Sequence, residues 1–514
     1  MEIAMDRACG VLMPVFSLPG KYGIGCFSRE AYEFVDFLKK AGQTYWQILP
    51  LGPTSYGDSP YQAFSTFAGN PYFIDLEELA DKGWITKKEI AAYDWGDNDK
   101  KNGNPEYVDY EKIYNSRFKV LKKAFKQSGI EKDPEFQKYV TRNKRWLVNY
   151  ATYMAIKDAN GSVSYLEWPE DIRLLKKDAL EKWSKKCAED IVFYEFIQYL
   201  FYTQWKKLKK YANSKGIKII GDIPIYVSLD SADTWADPKL FQLDPKGYPK
   251  AVAGCPPDCF SEDGQLWGNP LYDWDYHKKT GYEWWIRRFR QCFDLYDIVR
   301  IDHFRGFQDY YSIPYGDKNA RGGKWVKGPG WDLFSVVKAT FKDKPVIAED
   351  LGFITPAVQR LIKKCGYPGM KIMMYGFETD AVSEHAPFTF DHNCVVYTGT
   401  HDNDTITHWF KKALKKEEQD YIREYMNFKG NKDIAWNYIR TGMSSVADTA
   451  IFPIQDYLGL GNEAKINSPS TLGINWKWRL LPGMLTDELA DKMNRMALVY
   501  HRIPAKKPAG KSKY

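Results

Sequence analysis

Residues 298–306 read IVRIDHFRG, and the reading of this stretch decides the fold. An apolar run that stops abruptly at charged residues marks a strand buried on both faces, with its end open to solvent or ligand. Three other stretches share the pattern: GDIPIYV at 221–227, VIAEDLG at 346–352 and VVYTGTHDND at 395–404. Working outward, short apolar runs recur along the chain between longer amphipathic segments, the pattern of parallel strands alternating with helices. The predicted strands are Gly10–Leu18, Tyr45–Leu51, Ile217–Val227, Ile298–Phe304, Val346–Leu351, Met370–Phe377, Cys394–Thr400 and Ala450–Gln455. Eight is the number a closed (β/α)8 TIM barrel needs.

Helices are legible between the strands. Ser28–Lys40 opens with a Ser and carries Ala31, Phe34, Val35 and Leu38 at helical spacing, with Gly42 as a stop. Phe193, Ile197, Leu200, Phe201, Trp205 and Leu208 trace one face of a long helix ended by Gly216. Thr486–Tyr500 has a capping Thr and acidic residues in its first turn. The second and third strands are about 165 residues apart and the third and fourth about 70, where one strand-to-strand unit needs only some 30. The expected organisation is a single catalytic barrel over 1–514, with a mostly helical insertion at 53–190 and a loop-rich insertion at 228–296 over the active site. No all-β domain is expected at the C-terminal side, since only about 60 residues follow Phe452.

Composition excludes several classes. Of 514 residues, 44% are apolar and 27% charged, which rules out a disordered, collagen-like or disulfide-scaffold chain. The net charge of +7 is spread thinly. The basic residues Lys206, Lys207, Lys209 and Lys210, and those from Lys506 to Lys513, read as a solvated helix face and a tail, with no nucleic-acid-binding motif beside them. The start, Met1–Met13, has no apolar stretch behind a basic end, and no run approaches the roughly 18 apolar residues of a membrane span. Cys255 and Cys259 form a lone pair without further ligands at metal spacing. No metal, cofactor, nucleic-acid or membrane partner is expected, and the sparse cysteines read as reduced thiols in a cytoplasmic protein. Aromatic residues reach 16%, with 18 Trp and 36 Tyr. Such rings suit the C–H faces of sugars, and they equally suit a core.

Function in such a barrel lives at the C-terminal ends of the strands. Four ends carry carboxylates: Asp222; Asp302 with Arg300 and His303; Glu349 with Asp350; and Asp402 and Asp404 with His401. Arg300 and Asp302 are two residues apart and share a strand face, where an Arg favours an ionised carboxylate. Glu349 follows only Val346, Ile347 and Ala348; burial and crowding would push its proton affinity up, as a general acid requires. Paired carboxylates with divergent surroundings are the signature of glycosyl transfer. Clustered carboxylates also bind divalent metals, the competing reading, but no phosphate-gripping glycine motif accompanies them.

RIDHFRG, AEDLG and THDND, in that order, resemble the catalytic segments of the α-amylase clan, and in detail those of the 4-α-glucanotransferases of glycoside hydrolase family 77. The likeness extends to residues 10–25, LPLGPTSYGDSPYQAFSTFAGNPYFID at 49–75, GDIPIYV, PPDCFSEDGQLWGNPLYDW at 256–274 and NWKWRL at 475–480, from about residue 10 to 502. It implies Asp302 as nucleophile, Glu349 as acid and then base, and Asp402 as stabiliser of the oxocarbenium-like state. It also implies that Arg300, His303 and His401 surround the same sugar, that Asp222 and Tyr61 line its subsite, and that Trp267 sits on a loop covering the cleft. GDIPIYV lacks the His that α-amylases carry at that strand, and the missing C-terminal β domain is a second departure from them. The implied reaction is a two-step retaining transfer of an α-1,4-glucan segment to the 4-hydroxyl of a second glucan, with carboxyl groups about 5–5.5 Å apart. Tyr56, Tyr61, Trp267, Tyr272 and Trp274 are expected to supply a lid that keeps water from the intermediate. A glucan hydrolase and a non-catalytic glucan-binding protein are the alternatives.

Overall fold

The computed structural model describes residues 5–55, 57–96, 106–257, 261–342 and 344–503. Its strands are β1 (Ala8–Leu12), β2 (Tyr45–Gln47), β3 (Lys218–Ile223), β4 (Ala251–Cys255), β5 (Gln265–Pro270), β6 (Ile298–Ile301), β7 (Asp309–Pro314), β8 (Lys324–Lys327), β9 (Val346–Ala348), β10 (Gly369–Ile372), β11 (Cys394–Tyr397) and β12 (Thr449–Pro453). Eight of them form one parallel sheet in the order β10-β11-β12-β1-β2-β3-β6-β9. The Ala348 N–H donates to the Pro368 carbonyl at 2.9 Å, bringing the two ends of the sheet together as a (β/α)8 barrel. These strands are apolar on both faces because helices cover the outside and side chains fill the inside; every residue of β1, β2, β6, β9, β11 and β12 is buried.

Each predicted strand overlaps an observed one, and every observed strand stops sooner than predicted. Pro14 leads into a tight turn at Val15–Ser17 after β1, and Pro224, which has no N–H, follows β3 directly. Close approach is built in at Gly221, where a Cβ would lie 2.1 Å from the Tyr296 ring. The helix Arg29–Lys40 buries Ala31, Phe34, Val35 and Leu38 as its spacing predicts. The long helix Ala188–Ser214, which leads into β3, packs on Pro134–Ala159 from the segment between β2 and β3. Its Lys207 and Lys209 pair with Glu78 and Asp297.

The second inserted segment differs from a loop layer. It contains β4 and β5, which join β7 and β8 from beyond the fourth barrel strand in an antiparallel sheet, β5-β4-β7-β8. Tyr272 and Trp274 are not lid residues. Tyr272 is buried with its hydroxyl on the Ile225 carbonyl at 2.7 Å, and Trp274 stacks on Trp285; Tyr56, Cys259 and the basic tail lie outside the described residues. After β12 the described chain holds the helices Ile454–Leu458 and Asp487–Val499 and no strand. Among the described residues, no helix is long and apolar enough to cross a membrane.

Candidate active site

Strand register sets the geometry. Arg300 pairs with Asp222 across β3 and β6, and Ile301 with Ala348 across β6 and β9. Asp302 and Glu349 therefore follow at matching ends of neighbouring strands. His303 adopts φ 50°, a left-handed conformation uncommon for a side-chain-bearing residue. That turn directs its N–H to Glu349 Oε2 at 2.6 Å. The Leu351 N–H donates to Oε1 at 2.9 Å, so both oxygens of Glu349 are held.

The nine residues singled out in the sequence form one continuous chain of contacts. Trp267, on β5, meets the His303 ring edge-on with centroids 4.9 Å apart. His303 holds Glu349 and follows Asp302, whose Oδ1 accepts from Arg300 Nη1 at 3.0 Å. The same nitrogen donates to Asp222 Oδ2 at 2.6 Å, and the Tyr61 hydroxyl donates to that oxygen at 2.9 Å. Tyr61 stacks on His401 at 5.3 Å and 14°, and His401 Nε2 lies 3.3 Å from Asp402 Oδ2. Asp222 and Arg300 are almost fully buried, with side-chain exposures of 1% and 4%, whereas Asp302 and Asp402 stay open at 27% and 43%. The ion pair is buried, and the two carboxylates stay open to solvent beside it.

Burial dominates the electrostatics. It pushes the Glu349 carboxyl up to about 8, with Arg300 and the two N–H donors pulling down and the Asp302 charge pushing further up. Burial likewise lifts Asp222 against the pull of Arg300. His303 is pushed down to about 3 by burial and by Arg305, and burial lowers His401 against the pull of Asp402; both rings are neutral at physiological pH. The other strand-end acids have local duties. Asp350 accepts the Met370 N–H at 2.7 Å, and Asp404 pairs with Lys465 at 2.8 Å. Among the described residues, no group of three or more His, Cys, Asp or Glu is arranged to hold a metal ion.

Two participants escaped the sequence reading. Asn467 donates its side-chain amide to Asp402 Oδ1 at 2.6 Å and its N–H to the His401 carbonyl at 3.0 Å. It sits in KINSPST, which has no periodicity or motif to mark it. Trp476 packs at 5.9 Å from Tyr61 and 6.0 Å from His401; it lies in NWKWRL, a stretch whose individual residues carry no distinguishing signal.

The sequence profile of glycoside hydrolase family 77, described as 4-alpha-glucanotransferase, matches residues 13–485. A 4-alpha-glucanotransferase of Clostridium butyricum is 50% identical over 491 residues, covering 95% of this chain and 100% of its own. That of Streptococcus pneumoniae is 47% identical, covering 97% and 98%. Among solved structures, the amylomaltase from Streptococcus agalactiae in complex with acarbose superposes with a TM-score of 0.92 at 43% identity, covering 96% of this chain and 99% of that one. Register, the chain of contacts and these similarities converge: the protein belongs to glycoside hydrolase family 77 and is a 4-α-glucanotransferase, a glycosyltransferase acting on α-1,4-glucans.

Proposed function

We propose that Asp302, Glu349 and Asp402 perform the transfer by double displacement. The observation that carries the proposal is the placement of Asp302 and Glu349 at matching ends of β6 and β9, the glutamate buried with its proton affinity raised and the aspartate partly open and bonded to Arg300. Asp302, beside Arg300, attacks the anomeric carbon of an α-1,4-glucan while Glu349 protonates the departing oxygen. The reducing-end fragment leaves, and a β-linked glycosyl ester forms on Asp302. A 4-hydroxyl of a second glucan then attacks the ester, and Glu349, now ionised, takes its proton. Asp402, fixed by Asn467, holds sugar hydroxyls and opposes the positive charge of the transition state. Asp222, Tyr61, Arg300, His303 and His401 surround the transferred glucose.

Transfer demands that an acceptor sugar outcompete water at the ester. The covering of the acceptor side is assigned to Trp267, on the strength of its half-buried position against His303. The acarbose complex of the S. agalactiae amylomaltase supports α-glucans as what this chain binds. Seven free cysteines among the described residues fit a reducing, cytoplasmic setting.

Incubation with maltotriose tests the reading. A ladder of longer maltooligosaccharides together with glucose is expected. Glucose and maltose alone would identify a hydrolase, and loss of all transfer in chelator would point to metal-dependent chemistry.

A further inference from the structure

Asp456 lies in the helix Ile454–Leu458 directly after β12, with its side chain buried. Both of its oxygens are committed. Oδ2 accepts the Thr398 hydroxyl at 2.5 Å, and Oδ1 accepts the Ile406 N–H at 2.9 Å. Thr398 is the first residue after β11, and Ile406 opens the short helix Ile406–His408. Between them runs Gly399–Thr405, with His401 and Asp402 at its centre. One carboxylate on the neighbouring element thus ties both feet of the loop that presents Asp402.

Other contacts hold single points of this loop. The Met374 N–H donates to the Thr398 carbonyl at 3.1 Å. Asn403 Oδ1 accepts the Thr400 N–H at 2.8 Å, the Thr405 N–H reaches Asn462 Oδ1 at 3.1 Å, and Asn467 holds Asp402 itself. None of these joins one foot to the other. A buried carboxyl whose partners are two neutral donors is costly to desolvate. What it provides here is two strong acceptor sites at a fixed separation.

We propose that Asp456 is a positioning residue for the transfer reaction: it fixes the separation of Thr398 and Ile406 and thereby the placement of Asp402 against the sugar. The proposal rests on the role assigned to Asp402 above. Asp402 acts on the transition state, where a displacement of about 1 Å can cost roughly a hundredfold in rate. Loosening the feet is therefore felt in kcat before substrate binding.

The experiment compares Asp456→Ala, Asp456→Asn and Thr398→Val in the full chain. Each variant is confirmed folded by thermal unfolding and assayed on maltotriose and on an α-glycosyl fluoride donor, whose good leaving group keeps residual rates measurable. Asp456→Ala is expected to lower kcat at least tenfold with KM within threefold of the parent. Thr398→Val, which removes one of the two bonds, is expected to lose less in the same direction, and it carries the decision should Asp456→Ala fail to fold. Asp456→Asn is expected to recover activity to within threefold, because its amide oxygen can accept from Ile406 while its NH2 donates to Thr398 Oγ1. On an Asp402→Asn background, the Ala substitution should add less than a twofold loss. Parental kcat in folded Asp456→Ala or Thr398→Val would overturn the proposal, as would an equal loss on both backgrounds. Normal turnover in Asp402→Asn alone would instead remove the role of Asp402, and the positioning role with it.

Discussion

Glu349 sits between opposed influences. Two N–H donors and Arg300 favour its ionised form, while burial and the Asp302 charge favour its protonated form and prevail, leaving it near 8 against an ordinary value of 4.5. In the proposed mechanism it therefore serves as the proton donor at neutral pH, and turnover should fall as pH rises through about 8. The same shift has a stability sign. Between about pH 4.5 and 8 the native state keeps a proton that the unfolded chain has lost, so stability declines as pH rises through that window. Glu349→Gln mimics the protonated form. It should lower transfer by about 10²- to 10⁴-fold and abolish the alkaline limb of the rate profile. It should also raise the melting temperature relative to the parent more at pH 8 than at pH 5; an equal offset at both would contradict the assigned shift. Asp302→Asn barely changes volume, and its amide oxygen can still accept from Arg300. Turnover should drop by about 10⁴-fold or more while calorimetric binding of a maltooligosaccharide survives. Normal turnover would place the nucleophile elsewhere.

The four-stranded sheet presents Trp267 from β5, with its indole N–H on Gln265 Oε1 at 3.0 Å and its ring against His303. Gly254 on β4 lets β5 come this close: a Cβ there would stand 2.1 Å from the Gln265 carbonyl oxygen. Trp267→Ala is expected to weaken acceptor binding more than donor cleavage, shifting products from transfer toward hydrolysis; an unchanged ratio would contradict its covering role. This sheet was invisible in the sequence for physical reasons. Its pairing of β4 with β7 reaches from within the third-to-fourth-strand segment to beyond the fourth barrel strand, and its edge strand Lys324–Lys327 is mostly exposed, so no apolar alternation marks it. The barrel strands were legible because burial on both faces leaves near-continuous apolar runs. Tyr272 and Trp274 looked like lid residues because aromatic side chains serve cores and sugar surfaces equally; only their packing separates the two.

At the scale of the whole molecule, the four carboxylate-bearing strand ends converge because closing a parallel sheet gathers every C-terminal end at one mouth. That is why most of the site could be read from strand ends. Asn467 and Asp456 could not, since they act through contacts created only once the last third of the chain packs beside β11. The opposite end of the barrel is expected to serve stability. There Arg502, fully buried, donates to the carbonyls of Met443, Ala8, Asp448, Gly442 and Ser445, and Arg7 donates to Ser445 and Tyr500. These bonds fasten the last described residues across the β1–β12 seam. Arg502→Met keeps much of the apolar stem but strips the donor from all five carbonyls. Ser445 and Met443 keep Arg7, Gly442 keeps Ser445 and Asp448 keeps the Ala8 N–H, so what is lost is the set of charge-assisted bonds across the seam, which should cost about 3 kcal/mol, seen as a lower melting temperature. Transfer from maltotriose at 25 °C should remain within twofold of the parent, because none of the cleft residues touches this seam. A comparable loss of kcat in a protein still folded at the assay temperature would mean that the two ends of the barrel are coupled, against the division of labour drawn here.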